Sequence, residues 1–318
     1  MSLTKERLAY RPFEFPWAYD LWKMQQQVHW LPAEVPLGDD VKDYNHNLTT
    51  SERNLVTQIF RFFTQSDIEV ENAYVKHYLP MFKPPEIQMM LAAFINMETV
   101  HVDAYSHLLE TIGMDATEYD AFLQYKEMKD KFEHMRSFDP KNPLDQALTM
   151  WNFGGLTEGL QLFASFAMLL NFPRFNKMKG MGQIVTWSIR DESIHCEGVA
   201  QLFRAYCDEN GLTGNAELIK GAHALAEESV KHEDAFIDLA FAMGPIEGMT
   251  PEDMKKYIRY IANIRLAQYG LPELYDAPRN PLPWLSTMIN AVEHANFFEA
   301  RATEYSKAAT EGEWSEAF

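Results

Sequence analysis

The sequence predicts an all-α fold in a single domain, on three observations. Apolar residues recur at steps of three and four over segments of roughly 20–30 residues, which is the helical period. No segment shows the alternation of a half-buried strand. The 16 prolines and 15 glycines are few and clustered, so they punctuate the chain between the periodic segments. No stretch has the composition of a flexible interdomain linker, so residues 1–318 are taken as one domain.

Pro32, Pro36 and Gly38 mark an irregular N-terminal segment, about 1–48. Asn47-Leu-Thr-Thr-Ser-Glu then offers a capping start for a helix over 50–79. Pro80, Pro84 and Pro85 end it, and the next helix is expected over 85–112. A third follows over 116–135, closed before Asp139–Pro143. Helices over 143–171 and 176–208 are separated by Pro173, and Asn210–Gly214 precedes one over 214–243. Gly244–Pro251 introduces a helix over 251–268, and Pro272–Pro283 introduces the last, over 284–307. A flexible tail is expected from about 306 to 318.

Hydrophobic residues make up 47% of the chain and aromatics 13%, a globular composition. Acidic residues outnumber basic ones 46 to 28, for a net charge of −18. That argues against nucleic acid as a partner, because no surplus exists to neutralise phosphates. Cys196 and Cys207 would lie about 16 Å apart along one helix, too far for a disulfide and suited to a reducing cytoplasm. The N-terminus lacks an apolar signal core, and the stretch from Leu160 to Phe172 is too short to span a bilayer, so no membrane is expected.

Four of the helices carry a carboxylate in the middle of an apolar stripe. In 50–79 the stripe is Phe60, Phe63, Asp67, Val70, Tyr74; in 85–112 it is Ile87, Leu91, Phe94, Glu98, His101, Tyr105, Leu108. In 143–171 it is Trp151, Gly155, Glu158, Leu162, Ser165, Leu169; in 176–208 it is Ile184, Ser188, Glu192, His195, Val199, Leu202. Faces with this spacing are buried, and an unpaired buried carboxylate is very costly. The order is also duplicated: a lone carboxylate, then Glu-x-x-His at a similar interval, twice over. Glu and His at i and i+3 lie about 5–6 Å apart and can reach one cation. Two lone carboxylates and two Glu-x-x-His pairs are the ligand set of dinuclear carboxylate bundles, with oxygen and imidazole donors that suit iron or manganese. Four carboxylates against two divalent cations leave no net charge.

On these motifs the chain resembles the small, radical-generating (beta) subunit of class I ribonucleotide reductase, over nearly its whole length. Met97-Glu98-Thr99-Val100-His101-Val102-Asp103-Ala104-Tyr105 resembles the family's Glu-x-x-His-x-x-x-Tyr segment. Arg190-Asp191-Glu192-Ser193-Ile194-His195 resembles its Arg-Asp-Glu-x-x-His segment, and Leu156-Thr157-Glu158-Gly159-Leu160 holds the place of its lone glutamate. The resemblance implies a ferritin-like bundle with Asp67, Glu98 and His101 on one metal and Glu158, Glu192 and His195 on the other. It implies two transition-metal ions per chain, iron or manganese, oxidised by O₂ or a reduced oxygen species.

Tyr105 falls at the family's radical tyrosine, with Phe166 lining its expected pocket. Leu162 and Ser188 stand where larger apolar residues are common. The tyrosine counts against the manganese–iron type, in which phenylalanine stands there. Trp30, in His29-Trp30-Leu31-Pro32-Ala33-Glu34, matches the relay tryptophan, and Asp191 matches the aspartate that joins it to His101. Tyr305 matches the interface tyrosine, and the acidic, aromatic end Glu313-Trp314-Ser315-Glu316-Ala317-Phe318 resembles the peptide that docks into the large catalytic subunit. The resemblance further implies a cytoplasmic homodimer that supplies a one-electron oxidant for deoxyribonucleotide synthesis, needed in DNA replication, and that is active only with the large subunit. Other di-metal oxidases of this fold share the six ligands but not the Trp30, Tyr105 and Tyr305 series. An iron-storage bundle needs only about four helices, and a metal-free bundle leaves the carboxylates unexplained. His107, His223 and His232 fit no ligand spacing, and Asp43-x-x-His46 is read as loop chemistry.

Overall fold

The computed structural model describes residues 2–119, 121–136 and 140–288; the side chains of 64–67, 116, 135 and 136 lie outside the described set. The side chain of Asp67, and the whole of Tyr305 and the tail, therefore fall outside it. The described residues are helical almost throughout, and their one β pairing is an isolated bridge between Ile246 and Met249.

The expected helices are α3 (Thr50–Ala73, continued by a π-helical turn Tyr74–Tyr78), α4 (Pro85–Ile112), α8 (Lys179–Glu209), α9 (Ala216–Ala240) and α10 (Pro251–Gln268). The start of α3 follows from its capping box: Thr49 Oγ1 accepts the Glu52 N–H at 3.2 Å, and Glu52 Oε2 accepts the Thr49 N–H at 2.8 Å. Proline at the first position opens α4, and Gly113, in the left-handed region at φ 79°, closes it.

The helix expected over 143–171 is one rod in three parts: α6 (Pro143–Met150), a π-helical stretch Trp151–Leu162, and α7 (Phe163–Leu169). The wider winding is visible where Thr157 Oγ1 donates to the carbonyl of Asn152, five residues back, at 3.2 Å. Glycines allow the crowding here: a Cβ on Gly154 would lie 2.4 Å from Tyr269 Oη and 2.5 Å from a Val199 methyl. The segment Pro143–Phe175 is long and apolar enough to cross a membrane, contrary to the shorter apolar stretch expected, yet its most apolar window is wholly buried in the bundle. Packing accounts for its composition.

Two expectations are corrected. The N-terminal segment is not irregular throughout: it holds α1 (Pro16–Gln27), α2 (Gly38–Lys42) and a π-helical turn Asp43–Asn47. Helix α1 packs against α4 and α8 and delivers Trp30 to the core. The helix expected over 116–135 is two 3₁₀ turns, Ala116–Glu118 and Ala121–Gln124, followed by α5 (Lys126–Arg136). Asp115 Oδ1 accepts both the N–H and the hydroxyl of Thr117, at 2.8 and 2.7 Å, a local turn that competes with helix. Of the helix expected over 284–307, residues 284–288 are described and are helical. Cys196 and Cys207 are both on α8, buried and unpaired as disulfides.

Candidate metal centre

Helices α4 and α8 and the π-helical stretch bring Glu98, His101, Glu158, Glu192 and His195 to one place in the core, each no more than 1% exposed. One oxygen from each of the three glutamates and one nitrogen of His195 all lie within 4.8 Å of one another. His195 Nδ1 is 3.0 Å from Glu98, 3.4 Å from Glu192 and 3.7 Å from Glu158. His101 Nδ1 is 3.5 Å from Glu98 and 3.3 Å from Glu192. The two rings are 6.3 Å apart between centroids. Helix α3 carries Asp67 at its described backbone, and the position of that carboxylate is outside the described side chains.

The hydrogen bonds around these carboxylates bear on whether cations fit. Two other buried carboxylates among the described residues, Asp40 and Glu86, have donors. Asp40 accepts the N–H groups of Gly180 and Met181 at 2.9 and 2.7 Å, which anchors the start of α8. Glu86 accepts from Arg7 and from the N–H groups of Glu14 and Phe15. By contrast, both oxygens of Glu98 and of Glu192, one of Glu158, and both ring nitrogens of His195 are buried without a hydrogen-bond partner. The remaining Glu158 oxygen accepts from the buried Tyr74 hydroxyl at 2.6 Å. Leaving such groups unsatisfied is expensive. Oxygen and imidazole donors aimed at one point fit divalent transition metals, so the residues present fit the group.

Electrostatics agrees. Burial drives the Glu158 carboxyl up to about 7, with Glu192 and Glu98 adding to the rise. Burial also opposes ionisation of Glu98, but the nearby imidazoles of His101 and His195 outweigh it and hold the group down at about 2. Both imidazoles are pushed well above their usual value by the surrounding carboxylates, against burial. Protons on the histidines thus balance the carboxylate charge, and a cation entering the cluster would displace them.

Asp191 links this cluster to the N-terminal segment. Its Oδ2 accepts the Trp30 indole N–H at 2.8 Å and lies 3.3 Å from His101 Nε2. Its Oδ1 accepts from Gln25 at 3.1 Å and from Arg190 at 3.1 and 3.2 Å. Burial raises its pKa, but His101, Arg190 and Trp30 together lower it, so it stays ionised. Trp30 is buried, 6.2 Å from His101 and 5.1 Å from the half-buried Trp187 between ring centroids. Tyr105 is also buried; its hydroxyl donates to Ser188 Oγ at 3.1 Å, and Phe63 packs edge-on at 4.8 Å. Phe166 reaches Tyr105 through Phe63, 5.6 Å from that ring.

Tyr74 and Gln25 were given no role from the sequence, and Arg190 none beyond its place in the Arg-Asp-Glu-x-x-His segment. Tyr74 had a signal, since it closes the stripe that carries Asp67. Gln25 had none, because its role depends on where α1 lies. Among the residues set aside, His223 bonds to the Pro272 carbonyl at 2.8 Å, and Asp43 accepts the Met178 N–H at 2.8 Å.

The family model described as ribonucleotide reductase, small chain, matches residues 7–281. A probable ribonucleoside-diphosphate reductase small subunit of Invertebrate iridescent virus 6 is 44% identical, over 99% of this chain and 98% of its own. The ribonucleoside-diphosphate reductase subunit beta of Chlamydia pneumoniae is 29% identical over 93% of this chain and 89% of its own. Among solved structures, the ribonucleotide reductase R2 subunit of Clostridium botulinum superposes with a TM-score of 0.82 at 21% identity, covering 89% of this chain and 91% of that one. The dimanganese(II)-NrdF of Streptococcus sanguinis superposes at 0.74 with 19% identity, covering 90% and 99%. These two likenesses establish the fold. With the family match over most of its length and the viral relative across nearly all of it, the chain belongs to the ribonucleotide reductase small chain family.

Proposed function

We propose that this chain, as the small subunit of a ribonucleoside-diphosphate reductase, binds two transition-metal ions, iron or manganese. Asp67, Glu98 and His101 would hold one and Glu158, Glu192 and His195 the other. When bound, the metal pair supplies the one-electron oxidising power. The observation that carries this is the set of buried carboxylate oxygens and imidazole nitrogens without hydrogen-bond partners, converging on one point.

The protein's own groups keep that site dry and set the exit. Phe94 covers His195, with ring centroids 4.4 Å apart, and Tyr74 holds Glu158 in orientation through its hydroxyl. Asp191 fixes the His101 ring through Nε2, leaving Nδ1 toward the glutamates. It also accepts the indole proton of Trp30, so an electron leaving Trp30 need not strand a proton in the core. Tyr105 stores the oxidant as a phenoxyl radical, and Ser188 receives its hydroxyl hydrogen bond. Trp30 passes the oxidant outward and Tyr305 carries it to the large catalytic subunit, docked by the tail 306–318. The working unit is a cytoplasmic homodimer that joins the large subunit to make deoxyribonucleotides.

Metal analysis with electron paramagnetic resonance tests the site directly. The protein should hold about two ions per chain, and Glu192→Ala should hold roughly one or none. Full metal content in Glu192→Ala would remove that residue from the ligand set. The iron-to-manganese ratio that supports turnover with the large subunit assigns the metal.

A further inference from the structure

A second group of metal-type donors lies where α5 packs against α9. His134 comes from α5, and Glu228 and His232 from α9 at i and i+4, one turn apart on the same face. His134 Nδ1 is 3.6 Å from one Glu228 oxygen, and His232 Nε2 is 3.8 Å from the other. One donor atom from each residue lies within 4.8 Å of the other two, and the imidazole rings are 5.5 Å apart. We propose that His134, Glu228 and His232 form a mononuclear site for a divalent ion of the zinc class, separate from the buried cluster.

The distances favour a shared ion over direct contact. At 3.6 and 3.8 Å the histidine–glutamate pairs are too long for hydrogen bonds. Ligands on a tetrahedral ion with bonds of about 2.0–2.1 Å stand roughly 3.4 Å apart, so small side-chain rotations close the set. Two imidazoles and one carboxylate, with a position left for water, are a three-ligand zinc set. Two nitrogen donors disfavour magnesium and calcium, which take oxygen.

Exposure rises across the group: the side chain of His134 is 7% exposed, His232 18% and Glu228 55%. An ion can therefore enter past Glu228 and be held deeper. Burial lowers the pKa of both histidines: Glu228 and Asn152 oppose it at His134, whereas His134 adds to the lowering at His232. The neutral, ligating form is favoured at both. Lys131, the nearby cation, is neutralised by Glu233 and packed over Phe62 at 3.7 Å, while Asp130 adds negative charge near His232. The ion would pin α5 to α9, and α9 also packs on the stretch that carries Glu158.

The test is zinc binding to the metal-loaded protein, by equilibrium dialysis and by anomalous diffraction from zinc-soaked crystals. Wild type should take about one zinc per chain beyond its loaded pair, with an anomalous peak between His134 and His232. His232→Ala and Glu228→Gln should bind that zinc at least about tenfold more weakly and lose the peak. Circular dichroism should show both variants folded. Glu192→Ala should keep the extra zinc. No extra zinc in wild type, unchanged affinity in folded His232→Ala, or loss of the zinc in Glu192→Ala would each overturn the assignment.

Discussion

One carboxylate oxygen, Asp191 Oδ2, lies within reach of both Trp30 Nε1 and His101 Nε2, at 2.8 and 3.3 Å. A residue of the N-terminal segment and a residue of the buried cluster are thereby joined through one acceptor. Asparagine keeps the shape of Asp191 but has only one carbonyl oxygen and puts an amide against donors. Asp191→Asn should leave the fold intact and lower metal affinity, or turnover with the large subunit, by roughly 10- to 100-fold. Metal content measured beside steady-state nucleotide reduction checks this. Unchanged values for both would make Asp191 a packing residue.

The π-helical stretch rests on close approach at Gly154. A methyl group there meets Tyr269 Oη and Val199, both buried in the core and unable to swing away. Gly154→Ala should cost about 1–3 kcal/mol of stability by overpacking. Because Glu158 sits on the same stretch, its position should shift and metal content should fall. Chemical denaturation and metal analysis of the variant read both effects, and an unchanged unfolding midpoint would show that the stretch repacks freely.

The acid limit of stability should depend on Glu52. Burial raises its pKa, but the Lys177 ammonium at 2.7 Å and the Thr49 N–H lower it further, for a net depression below the usual 4.5. A carboxylate depressed in the folded state stabilises above its unfolded pKa, and that stability is lost as pH falls through the folded value. Glu52→Gln should therefore cost about 1 kcal/mol at neutral pH, the scale of a lost helix cap. The difference from wild type should shrink below the ordinary carboxylate range. Denaturant unfolding of both proteins at neutral pH and at acid pH measures it, and a gap that persists in acid would exclude the charge as its cause.

The sequence made the convergence of Glu98, His101, Glu158, Glu192 and His195 legible because each interrupts an apolar stripe. Burial of a charged residue is the one feature that periodicity alone exposes. The boundaries of α4 and α10 were legible too, since proline opens each. Helix α1 was hidden by the prolines and polar glutamines around it, and its three buried residues make too faint a stripe. The π winding at 151–162 left no trace in a stripe read at helical spacing. His232 was passed over because its partner Glu228 is a common helical neighbour, while His134 lies on α5, far away in the chain.

Tyr105 and the metal pair are the two places where the oxidant can be stored. Tyr105 lies one turn beyond His101 on α4 and is 5% exposed, its hydroxyl bonded to Ser188 Oγ. A cavity of about 170 Å³ opens beside it, lined by Phe63, Ile68, Val102, Ser106 and Leu109. Ser188 gives the phenol an acceptor. Tyr105→Phe removes the hydroxyl and with it the hydrogen bond to Ser188, at a cost of about 1 kcal/mol, so folding and metal content should hold. If the radical resides on Tyr105, the variant should lose the organic radical signal and nearly all nucleotide-reducing activity. Ser188→Ala should keep the radical but change its g-tensor, since the phenoxyl oxygen loses a polar neighbour. Trp30→Phe should abolish turnover while leaving the Tyr105 radical in place, because it cuts the exit and not the store. Activity retained in Tyr105→Phe, with a signal centred on the metals, would move the stored oxidant from the tyrosine to the metal pair, and Trp30→Phe would then still block turnover.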